Sequence, residues 1–302
     1  MTRQTKQTAP QQDRLVTLLI RLSGYSSILL VTLIFIFLMK EGLPALADVG
    51  IGELFTDRWY PIEGYFGILP LISGSLIVTL GAMLVSVPLG VGTAIYLSEV
   101  APSSTREVVK PLVEVLAGLP SVVLGFLGII AAAPLLRRLL DLPTGLTAFA
   151  GALLLGLIAI PTIVSIAEDA LNTVPAAYRQ AALAVGATPW QTIWGVTLPA
   201  ARSGVLTAVM LGMGRALGET MAVMMVTGNA PTLPHGLDAL FMPVRTMTAT
   251  IASEMGEVAT GSAHYQVLFL IGIVLFLFSL VVNVLASSVS FRQRKRAERL
   301  LS

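Results

Sequence analysis

The chain has 302 residues, of which 55% are hydrophobic and only 12% charged, and its mean hydropathy is +0.84. Soluble domains carry about 25% charged residues, so this composition leaves too little polar surface to face water, and lipid is the expected solvent. A formal net charge of +2 gives no argument for nucleic acid, and the absence of cysteine excludes disulfides, thiol nucleophiles and thiolate metal sites.

Residues 1–14 are polar, rich in Thr and Gln, and are expected to form a disordered tail. A helix crosses the hydrocarbon core with about 20 apolar residues. Six stretches approach or exceed that length, at 15–39, 68–97, 112–133, 146–166, 205–226 and 267–289. The expected fold is therefore all-α, a polytopic bundle of six transmembrane helices. The first stretch has a basic start (Arg3, Lys6, Arg14), and Ala45-Leu46-Ala47 resembles a cleavage site. Its apolar run nevertheless exceeds the roughly 7–15 residues of a signal-peptide core, so it reads as an uncleaved span at 15–40. The loop at 41–67 carries Phe55, Trp59, Tyr60, Tyr65 and Phe66, which read as an interfacial aromatic belt. Pro88, Pro120 and Pro161 fall inside spans two, three and four. Neighbouring helices can satisfy the backbone groups a proline frees, so these read as kinks.

Lys and Arg placement sets the expected orientation. With both termini inside, the inner segments hold thirteen basic residues: Arg3, Lys6, Arg14, Arg21, Arg106, Lys110, Arg179, Arg202, Arg292, Arg294, Lys295, Arg296 and Arg299. The outer segments hold five, Lys40, Arg58, Arg137, Arg138 and Arg245, with Arg215 left inside a span. Both termini, including the basic tail at 290–302, are thus expected in the cytoplasm and 41–67 outside. Glu99, Glu114, Glu168 and Asp169 fall at cytoplasmic span ends, where they are expected to reach the interface. Asn283 in span six can bond across helices.

The segment 168–202 is too polar to span and too patterned to be disordered. Pro175 suits an opening turn, 176–185 is a helix-forming run, and Gly186 is placed to end it. Pro189 then suits the first turn of a second short helix at 190–196, closed by Pro199. Gln180-Ala181-Ala182, three residues, Gly186, nine residues, Val196, one residue and Leu198-Pro199 resemble the EAA motif of ABC importer permeases. Gln180 stands where that family prefers Glu, and Val196 where Ile is usual. The resemblance implies that Gln180, Ala181, Ala182, Gly186, Leu198 and Pro199 belong to a loop that fits an ATPase subunit and couples its motion to the membrane.

Span five contains Arg215 and Glu219, which four-residue spacing puts on one helix face. Each costs about 2.5–3.5 kcal/mol at a span centre. One reading is a structural ion pair. The other is a polar station on a substrate path, because a guanidinium fork matches a tetrahedral oxyanion. Gly214-x-x-x-Gly218 reads as a close-approach face between helices. The stretch Gly-Arg-Ala-Leu-Gly-Glu-Thr-Met-Ala-Val at 214–223 closely resembles a signature of phosphate-transport permeases, and its Met221 looks like the PstC type rather than the paralogous PstA type. Val87-Pro88-Leu89-Gly90, Tyr96-Leu97-Ser98-Glu99, Leu119-Pro120-Ser121 and Ile160-Pro161-Thr162 resemble that family at the same relative places.

The resemblance implies an ABC type-1 (MetI-like) permease fold over 68–289 in the bacterial cytoplasmic membrane. It implies a PstA-like permease partner, a PstB-like ATPase dimer and a PstS-like periplasmic phosphate-binding protein. Candidate path residues are Arg215, Glu219 and Thr220, with Ser121 and Thr162 as secondary candidates. The chain has no G-x-x-x-x-G-K-[ST] phosphate loop, so ATP and Mg are expected on the separate ATPase and no cofactor on this chain. His235 and His264 are far apart in the loop before span six, without metal-ligand spacing, and read as solvated. No local nucleophile–histidine–acid arrangement argues for an enzyme. Alternatives are a permease for molybdate or sulfate and, in another class, an ATP-independent carrier or channel.

Overall fold

The computed structural model describes residues 11–301. Helix α1 runs over Gln11–Gly42, so residues 11–14 of the expected disordered tail are helical and the rest of that tail lies outside the described residues. Two four-residue helices follow, α2 (Ala45–Asp48) and α3 (Ile51–Leu54), then a two-residue antiparallel hairpin, β1 (Trp59–Tyr60) with β2 (Tyr65–Phe66). Helix α4 (Leu69–Ile95) continues through Pro88 into a π turn at Tyr96–Val100. Next come α5 (Ser103–Gly118), α6 (Ser121–Leu127) and, beyond a π turn at Gly128–Ala132, α7 (Ala133–Leu139). Helix α8 (Ala148–Asn172) continues through Pro161. Two short helices, α9 (Ala176–Ala184) and α10 (Pro189–Thr192), lead through a third π turn, Ile193–Thr197, into α11 (Leu198–Gly218). The chain ends with α12 (Met221–Val226), α13 (Met247–Glu254) and α14 (Ala263–Leu301).

Among the described residues, six helical runs are long and apolar enough to cross a membrane: Val16–Asp48, Leu69–Val100, Ser121–Leu139, Ala148–Asn172, Pro189–Gly218 and Ala263–Leu285. Two differ from expectation. Span three begins at Ser121, because Leu119 and Pro120 are extended and separate it from α5, which carries four charges and buries no residue. A residue before proline is driven out of the helical region, so Pro120 marks a boundary rather than a kink. Span five runs from Pro189 to Gly218 and stops short of the expected 226. Pro199 does not close a unit; it sits in the first turn of α11, just past the π turn.

Helix α8 is the central element, with α4 on one side and α11 on the other. Fully buried Ile163 shows why these three pack closely. A Cβ at Gly90 would lie 2.8 Å from its Cγ2 and one at Gly212 2.5 Å from its Cγ1, so neither position has room for a larger residue. Gly214 and Gly218 meet nothing within 4 Å. The close approach of α11 therefore uses Gly212, two residues before the expected motif, and Gly214 and Gly218 face open space. Helix α1 lies outside the core against α14, through Phe35–Phe276 and Phe37–Phe269 ring contacts at 5.0 and 5.5 Å.

The aromatic loop divides. Phe55, Tyr60 and Tyr65 are exposed, but Trp59 is 1% exposed and Phe66 is buried with it. The Trp59 indole N–H donates to Glu254 Oε1 (3.2 Å), which also takes Arg245 Nη2 (2.7 Å). His264 Nε2 lies 2.8 Å from Glu254 Oε2, and its ring packs edge-to-face on Trp59 and tilted against Phe66. His264 is therefore part of a packed polar cluster rather than a solvated loop residue, while His235 is exposed. Asn283 is exposed and makes no interhelical bond among the described residues.

Candidate substrate path and coupling loop

Arg215 and Glu219 do not share a helix. Helix α11 ends at Gly218, Glu219 is extended (φ −70°, ψ 132°), and α12 starts at Met221. Glu219 Oε1 accepts the backbone N–H groups of Thr220 (3.1 Å) and Ala222 (3.2 Å), capping the first turn of α12. No ion pair joins Glu219 to Arg215 among the described residues. Of the two readings, the structural ion pair is not formed; a helix cap stands in its place, and Glu219 Oε2 has no protein partner among the described residues. The Thr220 hydroxyl donates to Gly218 O (3.3 Å), and the Thr248 hydroxyl donates to Glu219 O (3.0 Å).

Arg215 is exposed and lightly held. Its Nη1 donates to Thr162 Oγ1 at 3.3 Å and its Nη2 to Ala117 O at 3.4 Å. Both lengths lie beyond the usual range for N–H···O bonds. These contacts place the guanidinium beside Pro161-Thr162 of α8 and beside the extended Leu119-Pro120 break that precedes Ser121. Ser121 is the first helical residue of span three, and no side chain caps that end. Helix α12 packs on α6, where a Cβ at Gly125 would lie 3.0 Å from Ala222 Cα. Two broken spans thus meet near one arginine, with an uncapped helix start that favours negative charge.

The loop candidates lie at the other ends of α8 and α11. Gly186 ends α9 with φ +89°, and the bonds Gly186 N–H to Leu183 O (3.0 Å) and Ala187 N–H to Ala182 O (3.1 Å) form a Schellman closure. Thr188 and Gln191 cap α10 reciprocally. Helix α9 buries none of its residues: Gln180 and Ala181 are exposed, Ala182 is half-buried, and Val185 just beyond is 86% exposed. Leu198 is half-buried and Pro199 exposed at the start of α11.

Sequence reasoning missed what fastens this loop. Glu99 and Glu168 are held in ion pairs with their carboxylates largely covered by protein. Glu99 takes a bidentate contact from Arg179, with Nη2 to Oε1 at 2.6 Å and Nε to Oε2 at 3.0 Å. Glu168 pairs with Lys110 at 3.5 Å, joining α8 to α5. The available signal was Arg179 directly before the Gln180-Ala181-Ala182 run and Glu99 at the end of span two, but eighty positions separate them and nothing local joins them.

A six-span bundle with broken helices at its centre and an exposed helical loop at one end is the architecture of a multi-pass membrane permease with the ABC type-1 fold. The family model for the binding-protein-dependent transport system inner membrane component matches residues 86–295, and the chain belongs to that family. It is 39% identical over 261 residues to the probable ABC transporter permease protein YqgH of Bacillus subtilis, covering 83% of this chain and 84% of that protein. It is 34% identical over 267 residues to the phosphate transport system permease protein PstC of Mesorhizobium japonicum, covering 82% of this chain and 80% of that protein. A chain from the crystal structure of a bacterial ABC transporter involved in the import of the acidic polysaccharide alginate superposes with a TM-score of 0.56 at 16% identity. That match covers 92% of this chain and 99% of the other, and it speaks for the fold alone. The chain is an ABC importer permease subunit.

Proposed function

We propose that this subunit moves inorganic phosphate inward across the bacterial cytoplasmic membrane by alternating access, driven by ATP hydrolysis on a separate subunit. The observation that carries the proposal is Arg215, a guanidinium beside two helix breaks that, among the described residues, has no ion pair and two long contacts. Such a group can pair with an oxyanion and release it, because its two long contacts are readily exchanged. Thr162 supplies a hydroxyl beside it, and Ser121 begins the next helix four residues after the Ala117 carbonyl that Arg215 contacts. Glu219 Oε2 is suited to accept a hydrogen bond from a protonated phosphate oxygen, a donor that sulfate lacks at neutral pH. Similarity to PstC permeases supports phosphate as the cargo.

On this reading the α9 end faces the cytoplasm with both termini, and the exposed α9 surface docks a PstB-like ATPase. Gly214 and Gly218, open in this chain, face a PstA-like permease partner. A PstS-like binding protein delivers phosphate to the opposite side. The test is labelled-phosphate uptake by cells that lack their own high-affinity permease, given this chain with its genomic neighbours. Uptake that requires both this chain and a hydrolysis-competent ATPase is expected. Uptake of molybdate or sulfate with none of phosphate would reassign the cargo, and uptake independent of the ATPase would overturn the importer mechanism.

A further inference from the structure

We propose that the Arg179–Glu99 pair is the joint through which α9 drives spans two and four as one unit, making Arg179 and Glu99 positioning residues for transport. The inference rests on the proposed role of α9 as the ATPase-facing helix.

Helix α9 has no fully buried residue and packs mainly on α10 and the π turn at Ile193–Thr197. Apart from the backbone at its two ends, the prominent attachment is one guanidinium. Arg179 Nε and Nη2 grip Glu99, its Nη2 also donates to Leu171 O (2.9 Å), and its Nη1 donates to Val174 O (2.7 Å). Those two carbonyls belong to the end of α8 and the turn just after it, and Leu171 O also accepts the Val174 N–H (3.2 Å). One side chain therefore closes three elements: α9, the C-terminal end of span four and the π turn that ends span two.

The same π turn is tied again. Ser98 Oγ donates to Asn172 Oδ1 (2.8 Å), and Arg106 Nη2 donates to Ser98 O (2.9 Å). The Glu99 side chain is 7% exposed and that of Arg179 23%. A bidentate pair at that depth fixes angle as well as distance, and separating it strands a buried charge. Displacement of α9 is then transmitted to α4 and α8 rather than absorbed in the loop. Helix α8 carries the movement inward, since Leu171 at its end touches Arg179 and Thr162 along its length touches Arg215. The α9 surface and the candidate anion station are thus linked by one rigid helix with a named contact at each end.

The test uses the complete complex in proteoliposomes with its binding protein, and reads phosphate moved per ATP hydrolysed. Arg179→Gln and Glu99→Gln are each expected to lower that ratio by roughly 2- to 30-fold, the span reported for residues on a coupling route. The double variant is expected to lose no more than either single, because the two side chains act as one unit. If Arg179→Gln does not assemble, Arg179→Lys decides: it keeps the charge without the fork and is expected to assemble with a lowered ratio. Single variants, or the lysine variant, with the wild-type ratio would overturn the joint, as would losses that simply multiply in the double variant. A wild-type complex that moves molybdate or sulfate but no phosphate would overturn the phosphate reading alone, and the same ratio read with that cargo then decides the joint. Wild-type transport with unaltered variants would overturn the joint alone.

Discussion

Glu219 has two separable jobs, and two substitutions divide them. Its Oε1 accepts two backbone N–H groups at 3.1 and 3.2 Å, satisfying donors that α12 would otherwise leave unpaired beside α6. Glu219→Ala removes the acceptor and should cost about 1–2 kcal/mol, the usual loss for a helix cap. Glu219→Gln keeps an amide oxygen that can accept the same two bonds. It forfeits only the attraction of a negative charge to a helix start, about 0.3–1 kcal/mol. Thermal unfolding of the purified complex should therefore rank wild type above Gln and Gln above Ala. Transport should rank differently, with Gln losing phosphate-over-sulfate discrimination while remaining folded. An alanine variant as stable as wild type would refute the cap. A glutamine variant with unchanged transport and discrimination would refute any role for the carboxylate in recognition.

Gly212→Ala should destabilise by roughly 1–3 kcal/mol, the cost of overpacking, since its Cβ would lie 2.5 Å from Ile163 Cγ1. Gly214→Ala, in open space, should leave the isolated chain unchanged or gain up to about 1 kcal/mol of helix propensity; melting of the two variants in detergent checks the contrast. Glu254→Ala strands Arg245 among partly buried groups and also removes the acceptor for Trp59. It should cost about 3–5 kcal/mol, whereas Arg245→Met with Glu254→Leu should recover much of that loss; thermal unfolding of both reads the difference.

The sequence carried the number of spans because runs of about 20 apolar residues are a strong signal. It also carried the end of α9, because the left-handed conformation at Gly186 is one that glycine adopts without strain. The ends of spans three and five were less legible. Apolar residues continue across Leu119-Pro120, and around Gly218-Glu219-Thr220 apolar runs on both sides keep the average hydropathy high, so hydropathy alone shows no break. Four-residue spacing then put Arg215 and Glu219 on one face, an inference that fails once α11 stops between them. Burial of Glu99, Glu168 and His264 depends on residues distant in sequence, and hydropathy assigns any such charged or polar group to the surface. The π turns at Tyr96–Val100, Gly128–Ala132 and Ile193–Thr197 likewise leave no compositional trace.

The most direct measurement is phosphate uptake by the reconstituted complex with wild-type Arg215 and with Arg215→Gln, at matched abundance and in parallel with sulfate and molybdate. The account predicts ATP-dependent uptake of phosphate in preference to both competitors, and its loss in the variant while the complex stays assembled. Phosphate uptake that survives the substitution unchanged, or an assembled wild-type complex that carries only another oxyanion, would contradict it.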